Sequence, residues 1–171
     1  MQARNFMIGD IQKSIELAEL KYPDGTTKGA PNILIALGLS CYTEYWGKLL
    51  LGLPREREKS RTCYEEFLKC LGDSYESNPY QELLSKGLPI YEDVRCGLVH
   101  AYAVSRDCTV NLGEDRFGIC YDEIRDHYDF NVKTYFREFK YAVDAYIDRL
   151  NNGTKSILKM NNAIKGKPLI L

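Results

Sequence analysis

The segment VRCGLVHAY, residues 94–102, carries the side chains of this chain that are best suited to chemistry. Arg95 stands five positions before His100, and the only other histidine, His127, lies in an acidic segment that we expect to be exposed. An imidazole titrates near neutral pH and can move a proton, and the planar fork of a guanidinium can hold phosphate oxygens. The alternative is a core helix that happens to carry both residues, which is the commoner role of a lone histidine.

The motif falls on a helix that the sequence predicts from Pro89 to about Ser105. On a regular helix Arg95 and His100 lie about 140° apart, so they do not share a face. Small residues, among them Cys96 and Gly97, border His100 and would let another helix approach closely. Two copies of this helix about a two-fold axis would pool both side chains in one cleft, so we expect a homodimer built around it.

The pattern Arg95-x4-His100-x-Tyr102 resembles the Arg-x4–6-His motif of the HEPN superfamily, and more narrowly its variant in toxins paired with nucleotidyltransferase antitoxins. The resemblance is close over RCGLVHAY and elsewhere concerns architecture alone. It implies a metal-independent endoribonuclease that forms a 2′,3′-cyclic phosphate, with His100 transferring protons and Arg95 holding the scissile phosphate. It also implies an RNA substrate, a nucleotidyltransferase-type antitoxin as a candidate partner, and Tyr102 as a supporting residue or modification target.

One position departs from that family, in which a polar residue commonly follows the arginine. Here it is Cys96, a supporting position where a polar side chain would help to hold the hydrogen bonds of the site. Cys96 therefore favours a second hypothesis, a HEPN-like helical module without catalysis that serves dimerisation or binds a nucleotide or another ligand. The presence of Arg95, His100 and Tyr102 favours the ribonuclease.

Glu44 is the remaining candidate site residue, because it interrupts the most apolar stretch of the chain, residues 33–53. It either hydrogen-bonds Arg95 or His100 and fixes its geometry, or lies on a solvated face. Since Glu44 and Lys48 break the stretch, it predicts a buried helix rather than a membrane span. The first residues lack the apolar run of a secretory signal, so we expect a cytoplasmic protein without a membrane partner.

Helical periodicity predicts an all-α fold, an antiparallel up-and-down helix bundle, and local signals start one short helix at Asn78-Pro79 and end the long apolar helix near Gly52. The clearest period runs from Val132 to Leu150. Short alternating apolar runs around LGED in residues 107–122 predict one small β-hairpin insertion. Residues 1–153 are expected to form the HEPN-like helical domain, and residues 154–171, with four lysines and no acidic residue, a basic C-terminal tail or short helix.

Charge and cysteine usage exclude several classes of protein. The net charge of −1 argues against a protein that coats nucleic acid by charge alone. The six cysteines form no C-x-x-C pair, so we expect free thiols, the alternative being a disulfide between Cys108 and Cys120 across the hairpin. The spacings of histidine, cysteine and acidic residues match no known metal site, so neither a metal nor a cofactor is expected.

Overall fold

A computed structural model of the protein describes residues 2–25, 31–53, 59–98 and 108–153. The helices are α1 (Gln2–Glu19), α2 (Asn32–Leu51), α3 (Ser60–Leu71), α4 (Pro79–Ser85) and α5 (Val132–Asn152). A π-helical segment, here the π segment (Tyr91–Cys96), follows α4. The strands are β1 (Cys108–Asn111), β2 (Ile119–Asp122) and β3 (His127–Asn131). The predicted tail, residues 154–171, lies outside the described residues.

Local capping chemistry sets several helix ends where the sequence predicts them. Asn78 precedes α4, and its side-chain oxygen accepts hydrogen bonds of 3.1 Å from the backbone N–H groups of Tyr80 and Gln81. Pro79 occupies the first turn, where its missing N–H costs nothing. Gly52 ends α2 with a φ of 66°, a left-handed conformation that glycine adopts without strain.

Helix α2 lies at the centre of the protein, as its apolar composition predicts. It packs mainly against α3 and also contacts α1, α5, β1 and the π segment. Its close approach to α3 requires Gly47, where a Cβ atom would lie 1.8 Å from the carbonyl oxygen of Cys63. Among the described residues, no helix combines the length and the apolar character that a membrane crossing needs.

Helix α5 provides the longest amphipathic face, and it confirms the period read from the sequence. The predicted positions that are buried include Val132, Tyr135, Phe136, Phe139, Val143, Tyr146 and Leu150. Helix α1 runs antiparallel to α5, because Arg4 pairs with Asp144 at 2.7 Å near one end and Glu19 pairs with Lys133 near the other. The protein is therefore mostly helical, which confirms the coarse prediction of fold class.

The prediction that the β structure is one small hairpin inserted in an all-α bundle is wrong. A mixed three-stranded sheet takes its place, with β3 in the middle, parallel to β1 and antiparallel to β2. The two segments expected to pair around LGED both pair with β3 instead. The acidic residues around His127 predict an exposed segment, yet Tyr128 and Phe130 of β3 are buried. A strand of five residues with only two buried apolar side chains is too short for its alternation to be detected in the sequence.

The sheet also excludes the disulfide that the hairpin would have allowed. Cys108 pairs in register with Tyr128, whereas Cys120 pairs with Asp129 on the other side of β3. Two strands separated by a third lie about 9–10 Å apart, beyond the reach of an S–S bond. Both cysteines are free thiols.

A buried carboxylate fixes the sheet against α5. Glu138 is 2% exposed, and it accepts hydrogen bonds from the hydroxyl groups of Tyr75, at 2.5 Å, and Tyr80. The backbone N–H of Gly118, just before β2, donates to the same carboxylate, at 3.2 Å from Oε2. One acidic side chain therefore holds together α5, the start of β2 and the segment around α4.

Candidate functional site

The structure places Arg95 in the π segment, close to its C-terminal end. The backbone N–H of Gly97 bonds to the carbonyl of Glu92, a five-residue step that marks a wider turn than the α-helix. The angle of 100° per residue assumed for a regular helix does not apply to this turn, and π-helical turns occur frequently at functional sites. His100 and Tyr102 lie outside the described residues, so their distance from Arg95 stays a prediction.

Arg95 contacts Glu44 of α2, one of the two alternatives that the sequence left open. Arg95 Nη2 lies 2.6 Å from Glu44 Oε2, and the two side chains are 18% and 7% exposed. The expectation of a solvated face for Glu44 is therefore wrong. The guanidinium carbon also lies 5.6 Å from the centre of the Tyr91 ring, within the range of a cation–π contact.

The second oxygen of Glu44 binds two further groups. The Lys48 ammonium and the Ser60 hydroxyl each donate to Glu44 Oε1 at 2.7 Å. A single carboxylate thus joins α2, the start of α3 and the π segment. Since two cations share one anion, the cluster of Glu44, Lys48 and Arg95, here the Glu44 cluster, keeps a formal charge of +1.

The charged groups of the Glu44 cluster stabilise one another in their ionised forms. Burial by itself would raise the pKa of Glu44, but hydrogen bonds from Lys48 and Ser60 and the charge of Arg95 outweigh burial and lower it. Burial by itself would lower the pKa of Arg95, but the charge of Glu44 reverses that effect and raises it. Both groups are therefore ionised at neutral pH.

One buried donor of the Glu44 cluster, Arg95 Nε, has no hydrogen-bond partner within the described part of the chain. Its neighbours are paired: the Tyr64 hydroxyl interacts with Ser40 and Tyr135, and Glu44 Oε2 is paired with Arg95 Nη2. Tyr64 packs edge-on against Tyr91 at 5.7 Å, which places it next to the arginine. Leaving a buried polar group unpaired costs about 1–3 kcal/mol, so a hydrogen-bond acceptor at Arg95 Nε would stabilise the site.

Two cysteines border this region. Cys96 directly follows Arg95 and is a half-buried free thiol. Burial raises the pKa of Cys41 on α2, the nearby charge of Arg95 only partly opposing it, so this thiol stays protonated at neutral pH. Neither side chain replaces the polar neighbour that the family motif carries after its arginine.

Sequence reasoning missed three members of the site. Lys48 was recoverable, because Glu44 and Lys48 stand four residues apart on one helix, the spacing of a helical ion pair. No local signal points to Ser60, which reaches Glu44 only because α3 packs against α2. Tyr91 stands four residues before Arg95, but its ring geometry depends on the π-helical turn.

Within the described residues, no group of three or more histidine, cysteine or acidic side chains is arranged to hold a metal ion. No family model, no curated protein and no solved structure matches this chain. A function for the site is therefore inferred from the residues and contacts of the chain itself.

Proposed function

We propose that this protein is a metal-independent endoribonuclease of the HEPN type, a cytoplasmic homodimer with the architecture of an up-and-down helix bundle. Arg95 holds the scissile phosphate, His100 transfers protons and Tyr102 supports the site. Single-stranded RNA is the proposed substrate, and a nucleotidyltransferase-type antitoxin is the proposed protein partner. Each of these assignments goes back to the motif of residues 95–102.

The observation that carries the proposal is the fixed but still accessible guanidinium of Arg95. Glu44 and Tyr91 hold it in place, while 18% of the side chain stays exposed. A cation that is oriented in advance stabilises the charge developing on a phosphate without reorganisation during the reaction. The net positive charge of the Glu44 cluster supports an anionic ligand, and so does Arg95 Nε, which has no partner among the residues that the structure describes.

The proposed reaction needs proton transfer at two oxygens. The 2′-oxygen attacks phosphorus and loses its proton to a base, and the P–O5′ bond breaks as the leaving oxygen gains a proton. The products are a 2′,3′-cyclic phosphate and a free 5′-hydroxyl. His100 provides a group with a suitable pKa, and in a homodimer its counterpart in the second copy supplies the other transfer.

The test is cleavage of single-stranded RNA in the presence of a chelator. His100→Ala and Arg95→Ala should each lower the rate by a factor of about 10² to 10⁴, the usual effect of losing an acid–base or charge-stabilising group. Arg125→Ala is the matched control, since Arg125 is an exposed arginine paired only with Asp122 among the described ion pairs, and it should leave the rate unchanged. Arg95→Lys keeps the charge that Glu44 needs but loses the planar fork, so activity should fall without loss of fold.

The contrary result is equally definite. If the wild-type protein leaves every RNA intact, and His100→Ala only lowers the melting temperature, His100 is a packed core residue and the ribonuclease assignment fails.

A second candidate function is the HEPN-like helical module without catalysis. The contact between Arg95 and Glu44 favours it, because an arginine whose charge is largely compensated serves a structural role well. Under this alternative a nucleotide or another anionic ligand binds beside Arg95 and is released unchanged. Equilibrium binding of a labelled mononucleotide, lost in Arg95→Ala and without turnover, would distinguish it from the ribonuclease.

A further inference from the structure

The outward face of α1, continued by Leu20 directly after its last residue, carries a seam of exposed residues at the spacing of a coiled coil. Phe6, Asp10, Lys13, Leu17 and Leu20, here the α1 seam, follow one another at alternating four- and three-residue steps. That spacing keeps side chains in line along a helix that packs lengthwise against another helix. All five are exposed, Phe6 by 68%, Leu17 by 57% and Leu20 by 47%.

The rest of α1 is held by its own chain, and within the seam Asp10 also contacts Tyr42 of α2 at the edge of the exposed surface. Ile11, Ile15 and Ala18 form the buried face of the helix, on the side opposite the seam. The ion pairs of Arg4 and Glu19 with α5 fix its two ends. The seam is therefore a rigid surface with apolar residues at its ends and a pair of opposite charges at its middle.

The seam is complementary to itself in one orientation. When two α1 helices pack antiparallel with Phe6 against Leu17 of the second copy, Asp10 falls against Lys13 of the second copy, and two-fold symmetry forms every pair twice. A parallel arrangement would place Asp10 against Asp10 and Lys13 against Lys13. Moving the antiparallel register by one heptad would place the charges against apolar residues. Only the first register places apolar residues against apolar residues and, at the same time, opposite charges against each other.

We propose that the α1 seam binds the α1 seam of a second copy of this chain in that antiparallel register. The apolar side chains at the two ends supply the contact that excludes water, and the central charges select orientation and register. The exposed surface continues past Leu20, since Tyr22 and, at the start of α2, Ile33 and Leu34 are also exposed, by 49%, 36% and 51%. This inference is independent of the proposed function and of the helix that carries His100.

A charge exchange tests the register directly. Asp10→Lys and Lys13→Asp each turn two attractive pairs into two repulsive ones, so either variant alone should weaken the contact about tenfold and halve the mass of the wild-type particle in sedimentation at micromolar concentration. An equimolar mixture of the two variants should regain the mass, because every central charge then faces its opposite across the contact. The double variant should regain it alone, for the same reason.

The controls separate register from general damage. Phe6→Ser, at an exposed position, should also halve the mass, whereas Lys21→Asp, which lies off the seam, should not. Because Asp10 borders Tyr42 of its own chain, thermal melting of each variant verifies the fold. A wild-type monomer at every concentration, or a particle whose mass neither charge variant changes, would overturn the inference. If each single variant has half the wild-type particle mass and the equimolar mixture does not regain it, the antiparallel register is wrong.

Discussion

Glu44 shows at the scale of one residue what the sequence can and cannot decide. A glutamate within an apolar helix must either be paired or reach solvent, and the sequence alone leaves both alternatives open. Helix α2 is apolar around most of its circumference, so its pattern does not reveal which face is buried. Glu44 is buried because α3 and the π segment pack against α2 and bring Ser60 and Arg95 to its carboxylate from distant parts of the chain.

Glu44→Gln should lower the free energy of unfolding by about 3 kcal/mol at neutral pH, because it leaves buried cations short of their anion. The pKa of Glu44 is lowered in the folded protein, so its stabilising contribution is present above the ordinary value of 4.5 and is lost as pH falls through the folded value. The difference between wild type and variant should therefore shrink in acid. Chemical denaturation at a series of pH values measures it.

Glu66→Gln is the control for this measurement. Glu66 pairs with Lys69 on the surface of α3, where both side chains are more than a third exposed, so its loss should cost less than about 1 kcal/mol. A Glu44 variant as mild as this control, or a difference that grows in acid, would mean that the Glu44 cluster does not stabilise the fold.

At the scale of elements, prediction succeeded where the signal is local. The α4 cap at Asn78 and the amphipathic face of α5 depend on residues a few positions apart, and both are as predicted. The π segment and the central strand β3 depend on packing and on partners far along the chain, and both were missed. The same limit applied to the site, in which Arg95 was recognised by its motif but Ser60 was not.

The Glu138 carboxylate joins α5, the start of β2 and the segment around α4. The substitution Tyr80→Phe tests how much this carboxylate contributes to stability. Removing the hydroxyl takes one donor from Glu138 and one acceptor from the backbone N–H of Ile119, which should cost about 1–3 kcal/mol of stability. Burial already raises the pKa of Glu138, so the stability linked to this group falls as pH rises through the folded value. The variant loses a bond to the ionised form and should therefore lose more stability at alkaline pH than in mild acid.

Tyr141→Phe provides the comparison, because Tyr141 lies on the same helix but is 50% exposed, and its stability should match wild type at both pH values. Equal losses for Tyr80→Phe at the two pH values would show that Glu138 does not change its ionisation in this range.

For the whole molecule, the two inferred self-contacts use different surfaces. The proposed catalytic dimer would be built around the predicted helix that carries Arg95 and His100, whereas the α1 seam lies near the start of the chain. Each contact pairs a surface with its own copy about a two-fold axis. A chain with two such contacts assembles beyond a dimer, and two perpendicular axes close the assembly at four copies.

Gly97→Leu tests the first of these contacts and separates it from the second. Gly97 directly follows the π segment that carries Arg95. In the proposed catalytic dimer its missing side chain lets a second helix approach, so leucine there should block that dimer and halve the particle mass. RNA cleavage should fall with it, because the proposed mechanism needs both copies of His100 in one cleft. Asp10→Lys should halve the mass while leaving cleavage intact, and the two substitutions together should give a monomer. A Gly97→Leu protein with unchanged mass and undiminished cleavage would show that the site works within a single chain.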